Sequence, residues 1–378
     1  MNIAIVSPVE IFPINGGAPN RIFNLAKTIS DMGQNVYLIF NSKTVEAKKL
    51  DNLNLLSFPF PHVRFIGTIA KNLNVAKALS KIDGKLDIIQ CEFPSLFLGS
   101  YFAKKLRGNP SLVLDEHGVE INFVQEVYFK KPGILRKAVV VLSEFAAVKL
   151  STHIFTCSRV DSEHISRIYK VPASKITDIP NAVGAEFLSE VEPHKFEKPT
   201  ILFLGGFRHS PNLYGARAIK DVIMPLVIQK GKDAQFVFIG QEPPSWLSNT
   251  ENIKVLGYVP DVRPFIKGAH VCIAPIFQGS GTRLKILEYM ALGKPVVTTS
   301  KGAEGIEAQP NIDIIIEDDM QRFSARIVEL LRDTTKAERL GLNARKLIEE
   351  SYTWEKVTQR AIEVYHRLQR SRKVLAGN

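Results

Sequence analysis

The chain has 378 residues, of which 45% are hydrophobic and 23% charged, a folding composition too long for one ordinary core and suited to two domains of about 150 to 200 residues. Its formal charge of +11 divides into +5 over residues 1–190 and +6 over the remainder. So even a spread excludes a nucleic-acid-binding tail and leaves phosphorylated substrates or anionic lipid as the expected polyanions. No apolar run approaches the length of a membrane span. Cys91, Cys157 and Cys272 stand far apart in apolar segments, a pattern that fits neither a disulfide framework nor a zinc spacing and predicts three core residues. Met1 to Ser7 reads directly into a strand without a basic lead-in, so a cytoplasmic protein is expected.

Short β-rich runs alternate with amphipathic segments, which predicts helices wound on parallel sheets. In chain order, Ile3 to Ser7 reads as a strand, Asn20 to Met32 as a helix ended by Gly33, and Asn35 to Phe40 as a strand. Further strands are expected at Asp87–Gln90, Ser111–Asp115 and His153–Cys157, with helices near Pro94–Arg107, Ile134–Leu150 and Val160–Tyr169. The run Glu190 to Pro199 has charge, two prolines and no periodicity, which marks residues 191–199 as a linker after a first domain of residues 1–190. The pattern then restarts with a strand at Thr200–Gly205, a helix at Asn212–Gln229, and strands at Gln235–Gly240, Ile253–Leu256 and Val271–Ala274. A helix at Arg283–Leu292 and strands at Pro295–Thr299 and Ile312–Ile316 follow, then helices at Gln321–Leu331 and Lys336–Glu350. The second domain thus spans residues 200–352, and residues 353–378 form a last helix expected to pack back on the first domain. Both domains read as Rossmann-like, doubly wound α/β units, whose ligands bind in a cleft at the carboxyl ends of the strands.

The most informative segment runs from Pro275 to Glu288. A strand feeds a loop with Gly279 and Gly281, and Thr282 is placed to cap the helix that follows. Glycines admit a ligand close to the backbone, while first-turn amides and the helix dipole favour an anion, so a phosphate is expected there. Arg283 and Lys285 add cations at a helix end where the dipole disfavours them unless an anion offsets them. Glu288 lies one turn on, beside the apolar stripe of Leu284, Leu287 and Ala291, and is suited to accept two hydroxyls. The competing expectation is a plain amphipathic helix with a Lys285–Glu288 surface pair.

The run from Gly279 to Thr299, Gly-Ser-Gly-Thr-Arg-Leu-Lys-Ile-Leu-Glu-Tyr-Met-Ala-Leu-Gly-Lys-Pro-Val-Val-Thr-Thr, resembles the donor-site signature of family 4 glycosyltransferases of the GT-B fold. Matching segments follow the expected order: Asn15 to Ala18, Leu114 to Glu120, Thr156 to Ser158, Ile179 to Val183, and Leu204 to Gly206. The resemblance implies a nucleotide sugar donor held mainly by the second domain, through Gly205, Arg208, Ser280, Gly281, Thr282, Arg283, Lys285 and Glu288, with Gly16 and Gly17 contributed by the first. It implies an acceptor on the first domain, transfer with retention of anomeric configuration, and no required metal or other cofactor. Glu288 is then expected on the ribose hydroxyls. The sequence departs from the family pattern in three places. Ser280 stands where a first glutamate is usual, Arg208 has no partnering lysine, and Asn181-Ala182 replaces Asn-Gly.

His117 follows the strand Ser111–Asp115 and precedes Gly118, a position suited to hydrogen bonding a donor hydroxyl, and the resemblance supports a sugar contact there. Arg208, Arg283 and Lys285 are expected to stabilise charge on the departing diphosphate, so that with His117 they make up the expected catalytic set. His153 and His270 read as core, Ser158 with Asp161 as a helix cap, and Glu317-Asp318-Asp319 as acids opening a helix rather than a metal site. A sugar-nucleotide epimerase or hydrolase on the same fold and a non-catalytic nucleotide-sugar-binding or scaffold protein are the alternatives. A dinucleotide oxidoreductase is disfavoured because Asn15 to Ala18 lacks the Gly-x-Gly-x-x-Gly turn. The acceptor is expected to be a glycan, lipid-linked or small-molecule hydroxyl. Tyr128 to Lys137 and the cluster Lys104-Lys105-Arg107 suggest peripheral contact with an anionic membrane at its cytoplasmic face.

Overall fold

The computed structural model describes residues 1–14, 16–59, 66–118, 134–230, 233–279 and 281–375. These fall into two units, Met1–Pro180 with Trp354–Asn378, and Asn181–Thr353.

In the first unit the strands are β1 (Asn2–Ser7), β2 (Asn35–Asn41), β3 (Glu46–Leu50), β4 (Leu53–Phe58), β5 (Ile88–Glu92), β6 (Ser111–Glu116), β7 (His153–Thr156) and β8 (Ile176–Asp178). They form one sheet in the order β3-β4-β2-β1-β5-β6-β7-β8, parallel except for β3 against β4. Strands β5 and β6 are buried from end to end, as expected of parallel strands covered on both faces. One face carries α1 (Gly17–Asp31), whose Ile22, Leu25, Ala26 and Ile29 are buried at helical spacing. The other is covered by α2 (Ile66–Ser80), α3 (Phe97–Leu106), α4 (Ile134–Leu150) and α5 (Arg159–Tyr169), which share an apolar cluster through Val75, Phe97, Ala147 and Ile165.

The hairpin β3–β4 has no counterpart in the sequence reading. Its turn uses Asp51 at φ 51° instead of a glycine, and β3 is an exposed edge whose Glu46, Lys48 and Lys49 suppress further pairing. Strand β8 and α2 were likewise not predicted.

The second unit contains β9 (Thr200–Leu204), β10 (Gln235–Ile239), β11 (Ile253–Gly257), β12 (Val271–Ala274), β13 (Val296–Thr298) and β14 (Ile315–Ile316), all parallel in the order β11-β10-β9-β12-β13-β14. Its helices are α6 (Ser210–Ala218), α7 (Met224–Gln229), α8 (Arg263–Gly268), α9 (Leu284–Ala291), α10 (Ser300–Ala303), α11 (Met320–Arg332) and α12 (Thr334–Ser351). The single helix expected over Asn212–Gln229 is interrupted by a π-helical stretch at Ile219–Ile223. Pro225 lies just beyond it, lacks a donor and crowds the preceding turn, and the widened stretch accommodates it.

The boundary between units falls at Pro180/Asn181 and not in the linker expected at 191–199. Residues 181–199 are already committed to the second unit. Val183 N donates to Tyr352 O at 2.9 Å, His194 N to Pro264 O at 2.9 Å, and Arg345 Nη2 to Leu188 O at 2.7 Å. Charge and proline content predicted a free segment, but the second unit uses its backbone groups. After Thr353 the chain returns to the first unit as α13 (Trp354–Leu375), which packs beside α1. No helix of the described residues is long and apolar enough to cross a membrane.

Candidate active site

In the second unit, chemistry gathers where β9 ends. Leu204 N donates to the buried Tyr289 hydroxyl at 2.6 Å, and Gly205 N to Ile239 O at 2.9 Å. A Cβ on Gly205 would stand 2.8 Å from the Asn212 side chain, and one on Gly240 would stand 1.9 Å from Gly205 O. Both positions need glycine because loop and strand ends approach so closely. Asn212 joins the two halves of the site. Its Nδ2 donates to Gly206 O at 3.0 Å and its Oδ1 accepts from Lys285 Nζ at 2.6 Å. The Lys285 ammonium also stands 4.4 Å from the centre of the Phe203 ring.

Lys285 and Glu288 are half-buried. Burial, with Arg283 acting in the same direction, brings Lys285 down to about 7, opposed by Glu288. Burial raises Glu288 to about 7, with Lys285 opposing and Glu186 adding to the rise. The expected Lys285–Glu288 surface pair does not form, since Lys285 turns to Asn212. The Glu288 carboxylate accepts no hydrogen bond from another described residue, an open acceptor at the rim of a packed helix face.

The loop before α9 is shaped by Gly279 at φ 98° and Gly281 at φ 78°. Thr282 is not the cap. The chain leaves extended geometry one residue later, at Arg283, whose side chain makes no capping hydrogen bond; Ile286 N is met by Arg283 O at 2.9 Å, and the amides of Leu284 and Lys285 have no side-chain cap among the described residues. Asn181 Nδ2 donates to Thr282 O at 3.2 Å, fixing the loop from the start of the unit. Arg283 was expected as a mobile cation. Instead its guanidinium folds back on the loop, donating to Gly279 O at 2.9 Å and to Gly281 O. Ser280 lies outside the described residues. Arg208 is not gathered with Lys285; it is 83% exposed and pairs with the exposed Glu242. His209, like Asn212, is a residue that the sequence alone did not mark. Partial burial and then the charges of Lys285 and Arg283 hold its pKa down. A cavity of about 400 Å³ lined by Tyr214, Arg217, Asp221 and Phe277 lies against α6, and none of the predicted site residues lines it.

In the first unit, the carboxyl ends of β5 and β6 carry a closed polar network. Arg21 Nη2 donates to both Asp115 oxygens at 3.0 Å, with the pair buried. Tyr365, from α13, donates its hydroxyl proton to Gln90 Oε1. Gln90 Nε2 donates to Glu92 Oε1 at 2.6 Å, and Glu92 Oε2 stands 2.6 Å from His117 Nε2. Burial raises Glu92 to about 7 against the pull of Gln90 and Arg21, and lowers His117 to about 3, so the imidazole is neutral. In the tautomer that carries its proton on Nε2, Glu92 accepts that proton and Nδ1 is an acceptor. Phe93, at φ 68°, lies with its ring centre 4.2 Å from that of His117, a strained backbone of the kind that collects at functional sites.

Gly16, at φ 91°, caps α1 and Gly17 opens it, with no acid in the first turn and open space beside Gly16. Asn15 lies outside the described residues. The ligand atoms of Glu92, Asp115 and His117 come within 4.8 Å of one another, close enough for a cation. Asp115 is spent on Arg21 and Glu92 on His117, so a metal would have to displace bonds already made.

Ser158 caps α5 by accepting from Asp161 N at 3.1 Å, and Asp319 caps α11 by accepting from Arg322 N at 2.9 Å, both as expected. The three cysteines are buried, and no disulfide joins them. His153 is buried, with Nε2 2.9 Å from Thr177 Oγ1. His270 was expected in the core but is exposed just ahead of β12, where its Nδ1 accepts from Thr200 N at 3.1 Å.

Comparison with known proteins bears on both units. The family description "Glycosyltransferase Family 4" matches residues 15–187, and "Glycosyl transferases group 1" matches residues 198–333. A phosphatidyl-myo-inositol mannosyltransferase of Mycobacterium leprae is 23% identical over 97% of this chain and 96% of its own length. A protein of the cps region of Klebsiella pneumoniae is 22% identical over 94% and 97%. In fold, sucrose-phosphate synthase from Thermosynechococcus elongatus superposes with a TM-score of 0.76 at 15% identity, covering 98% of this chain and 99% of that one. Anabaena HepE in complex with UDP gives 0.72 at 13% identity, covering 97% and 100%. With both halves matched in order and both sheets of the expected type, the chain belongs to the family 4, group 1 glycosyltransferases and has the GT-B fold.

Proposed function

We propose that this glycosyltransferase takes its sugar from a nucleoside-diphosphate-sugar and transfers it with retention to a hydroxyl of a glycan, lipid-linked or small-molecule acceptor. The carrying observation is the start of α9, where Lys285 is held half-buried by Asn212 while the Glu288 carboxylate, one turn on, accepts no hydrogen bond from the described residues. A cation beside uncapped amides suits a diphosphate, and an open carboxylate suits two ribose hydroxyls. Arg283 shapes the loop that receives the phosphates, and His117 accepts a hydrogen bond from a sugar hydroxyl through Nδ1. In the reaction the bond from the anomeric carbon to the phosphate oxygen breaks as the acceptor oxygen bonds on the same face, and the acceptor proton passes to the leaving phosphate. Lys285 and the helix amides stabilise the charge that develops there. No protein nucleophile and no metal is needed. The structure of HepE with UDP-glucose supports this class of donor. The mannosyltransferase relative, named for a phosphatidyl-myo-inositol substrate, supports an acceptor at a membrane.

A panel of nucleotide sugars tested for thermal stabilisation identifies the donor, because a bound ligand raises stability with occupancy. Stabilisation by one nucleoside diphosphate and its sugar, with product formed only when acceptor is present, is the expected result. Release of free sugar without acceptor would instead indicate a hydrolase, and binding without turnover a non-catalytic protein.

A further inference from the structure

The outer surface of the layer formed by α2, α3 and α4 is strongly apolar. Along α3, Leu98, Phe102 and Leu106 recur every four residues and face outward, with Phe102 65% and Leu106 75% exposed. The pattern continues on α4 with Leu142 at 66% and Phe145 at 49%, and on α2 with Leu73 at 65%. These helices are neighbours. Gly99 N donates to Asn72 Oδ1 at 2.6 Å across the α2–α3 contact, a Cβ on Gly99 would meet the Asn72 carbonyl oxygen at 2.3 Å, and α4 packs beside α3. The core beneath is already filled by Val75, Phe97, Ala103 and Ala147, so the outward residues are not needed to complete it. A contiguous exposed apolar surface of this kind marks an interaction site.

Charge selects the partner. The α2 and α3 segments contain Lys71, Lys77, Lys104 and Lys105 and no acid, while α4 has a single acid, Glu144, which is buried. Lys77, Lys105 and Lys149 are exposed, each one turn beyond Leu73, Phe102 or Phe145. The Lys149 ammonium stands 5.8 Å from the Phe145 ring centre. Aromatic and aliphatic side chains rimmed by lysines whose stems cover apolar surface are the composition of a face that lies in the headgroup region of a bilayer. Without exposed acids on these helices, the match is to anionic lipid. Arg107 is not part of this face, because its guanidinium donates to Gly84 O at 2.7 Å and to Ile82 O. Tyr128 to Gly133, and the side chains of residues 134–137, lie outside what is described.

We propose that the α2–α3–α4 face docks the protein on an anionic bilayer, with Phe102, Leu106, Leu142 and Phe145 entering the headgroup region and Lys77, Lys105 and Lys149 pairing with lipid phosphates. It rests on the membrane-side acceptor proposed above only for context, since an enzyme with a soluble acceptor would dock equally well. Co-sedimentation of the full chain with phosphatidylcholine vesicles, and with equimolar phosphatidylcholine and phosphatidylglycerol vesicles, tests it. Binding to the mixed vesicles alone is expected, abolished by high salt. Phe102→Ser with Leu106→Ser, and separately Lys105→Glu with Lys149→Glu, each weaken it by about tenfold or more. Both variants keep the wild-type circular dichroism and nucleoside-diphosphate affinity, so a failure of docking is distinguishable from a failure of the donor site. Wild-type protein that stays in the supernatant with mixed vesicles at low salt overturns the proposal, as does equal binding by wild type and both variants. So does a dimer in sedimentation equilibrium that Phe102→Ser with Leu106→Ser dissociates, because the face then meets a second copy.

Discussion

The two units hold their charges in opposite ways. In the first, Arg21, Asp115, Gln90, Glu92, His117 and Tyr365 are joined to one another by hydrogen bonds, and the buried Arg21 guanidinium has the Asp115 carboxylate as its counter-charge. In the second, Lys285 has one neutral partner, and Glu288 is raised by burial without a hydrogen bond from the described residues. A closed network fixes geometry, while an open pair of charges is poised for a ligand. On the proposed function, the same kinds of side chain serve stability in one unit and binding in the other, and variants can separate the two.

The largest effect is expected from Asp115→Asn, which leaves the buried Arg21 guanidinium without its counter-charge and costs about 3 to 5 kcal/mol of stability in chemical denaturation. The double variant Arg21→Met with Asp115→Leu should recover most of that loss. If the single variant unfolds at wild-type denaturant, the network is not closed as described. Next, Glu288→Gln removes the proposed ribose acceptor at nearly constant shape and should weaken nucleoside-diphosphate binding by about 1.5 to 3 kcal/mol in calorimetry without lowering the melting temperature, since a carboxylate whose pKa burial raises costs the folded state stability. Unchanged affinity would make Glu288 as spent as its counterparts in the first unit.

The pH dependence sharpens the contrast. Lys285, lowered to about 7, loses its proton and its grip on phosphate as pH rises through that value. Glu288, raised to about 7, gains a proton and ceases to be a charged acceptor as pH falls through it. Affinity for a nucleoside diphosphate should therefore peak near neutrality and fall on either side, each limb approaching about tenfold per pH unit. Lys285→Arg should flatten the alkaline limb, because a guanidinium keeps its charge, and Glu288→Gln the acid limb. The smallest effect is expected from Tyr365→Phe. Removing the hydroxyl that donates to Gln90 should cost about 1 kcal/mol of stability and leave diphosphate affinity alone. A change in diphosphate affinity would show that the two sites are coupled.

The periodicity of the sequence was enough to place most strands and the longer helices, because buried parallel strands read as short apolar runs and α1 or α11 carry one clear stripe. It gave no sign of the β3–β4 hairpin, whose turn is made by Asp51 and whose edge strand is charged. At the site, composition and spacing pointed to Lys285 and Glu288, since a cation in a helix's first turn conflicts with the dipole and so stands out. They could not show that Arg283 would turn back on its own loop or that Arg208 would pair outward with Glu242. Such choices depend on which carbonyl or carboxylate the fold brings within reach. Asn181 and Asn212 were invisible as site residues for the same reason, because an asparagine has no charge to be misplaced. His209 follows Arg208 in the chain, and the charges of Lys285 and Arg283 act on it only through the fold.

Because α13 follows the second unit in the chain yet belongs to the first, the order of synthesis and the order of completion differ. As the chain leaves the ribosome, the first sheet is made early, but the tyrosine that closes Gln90 arrives only after residues 181–353 have been made. The first unit must wait with that face uncovered, exposed to the cell's chaperones and proteases, while the second unit is made and can fold without it. Cutting the chain after Thr353 would therefore leave the later-made half whole and strip the earlier one.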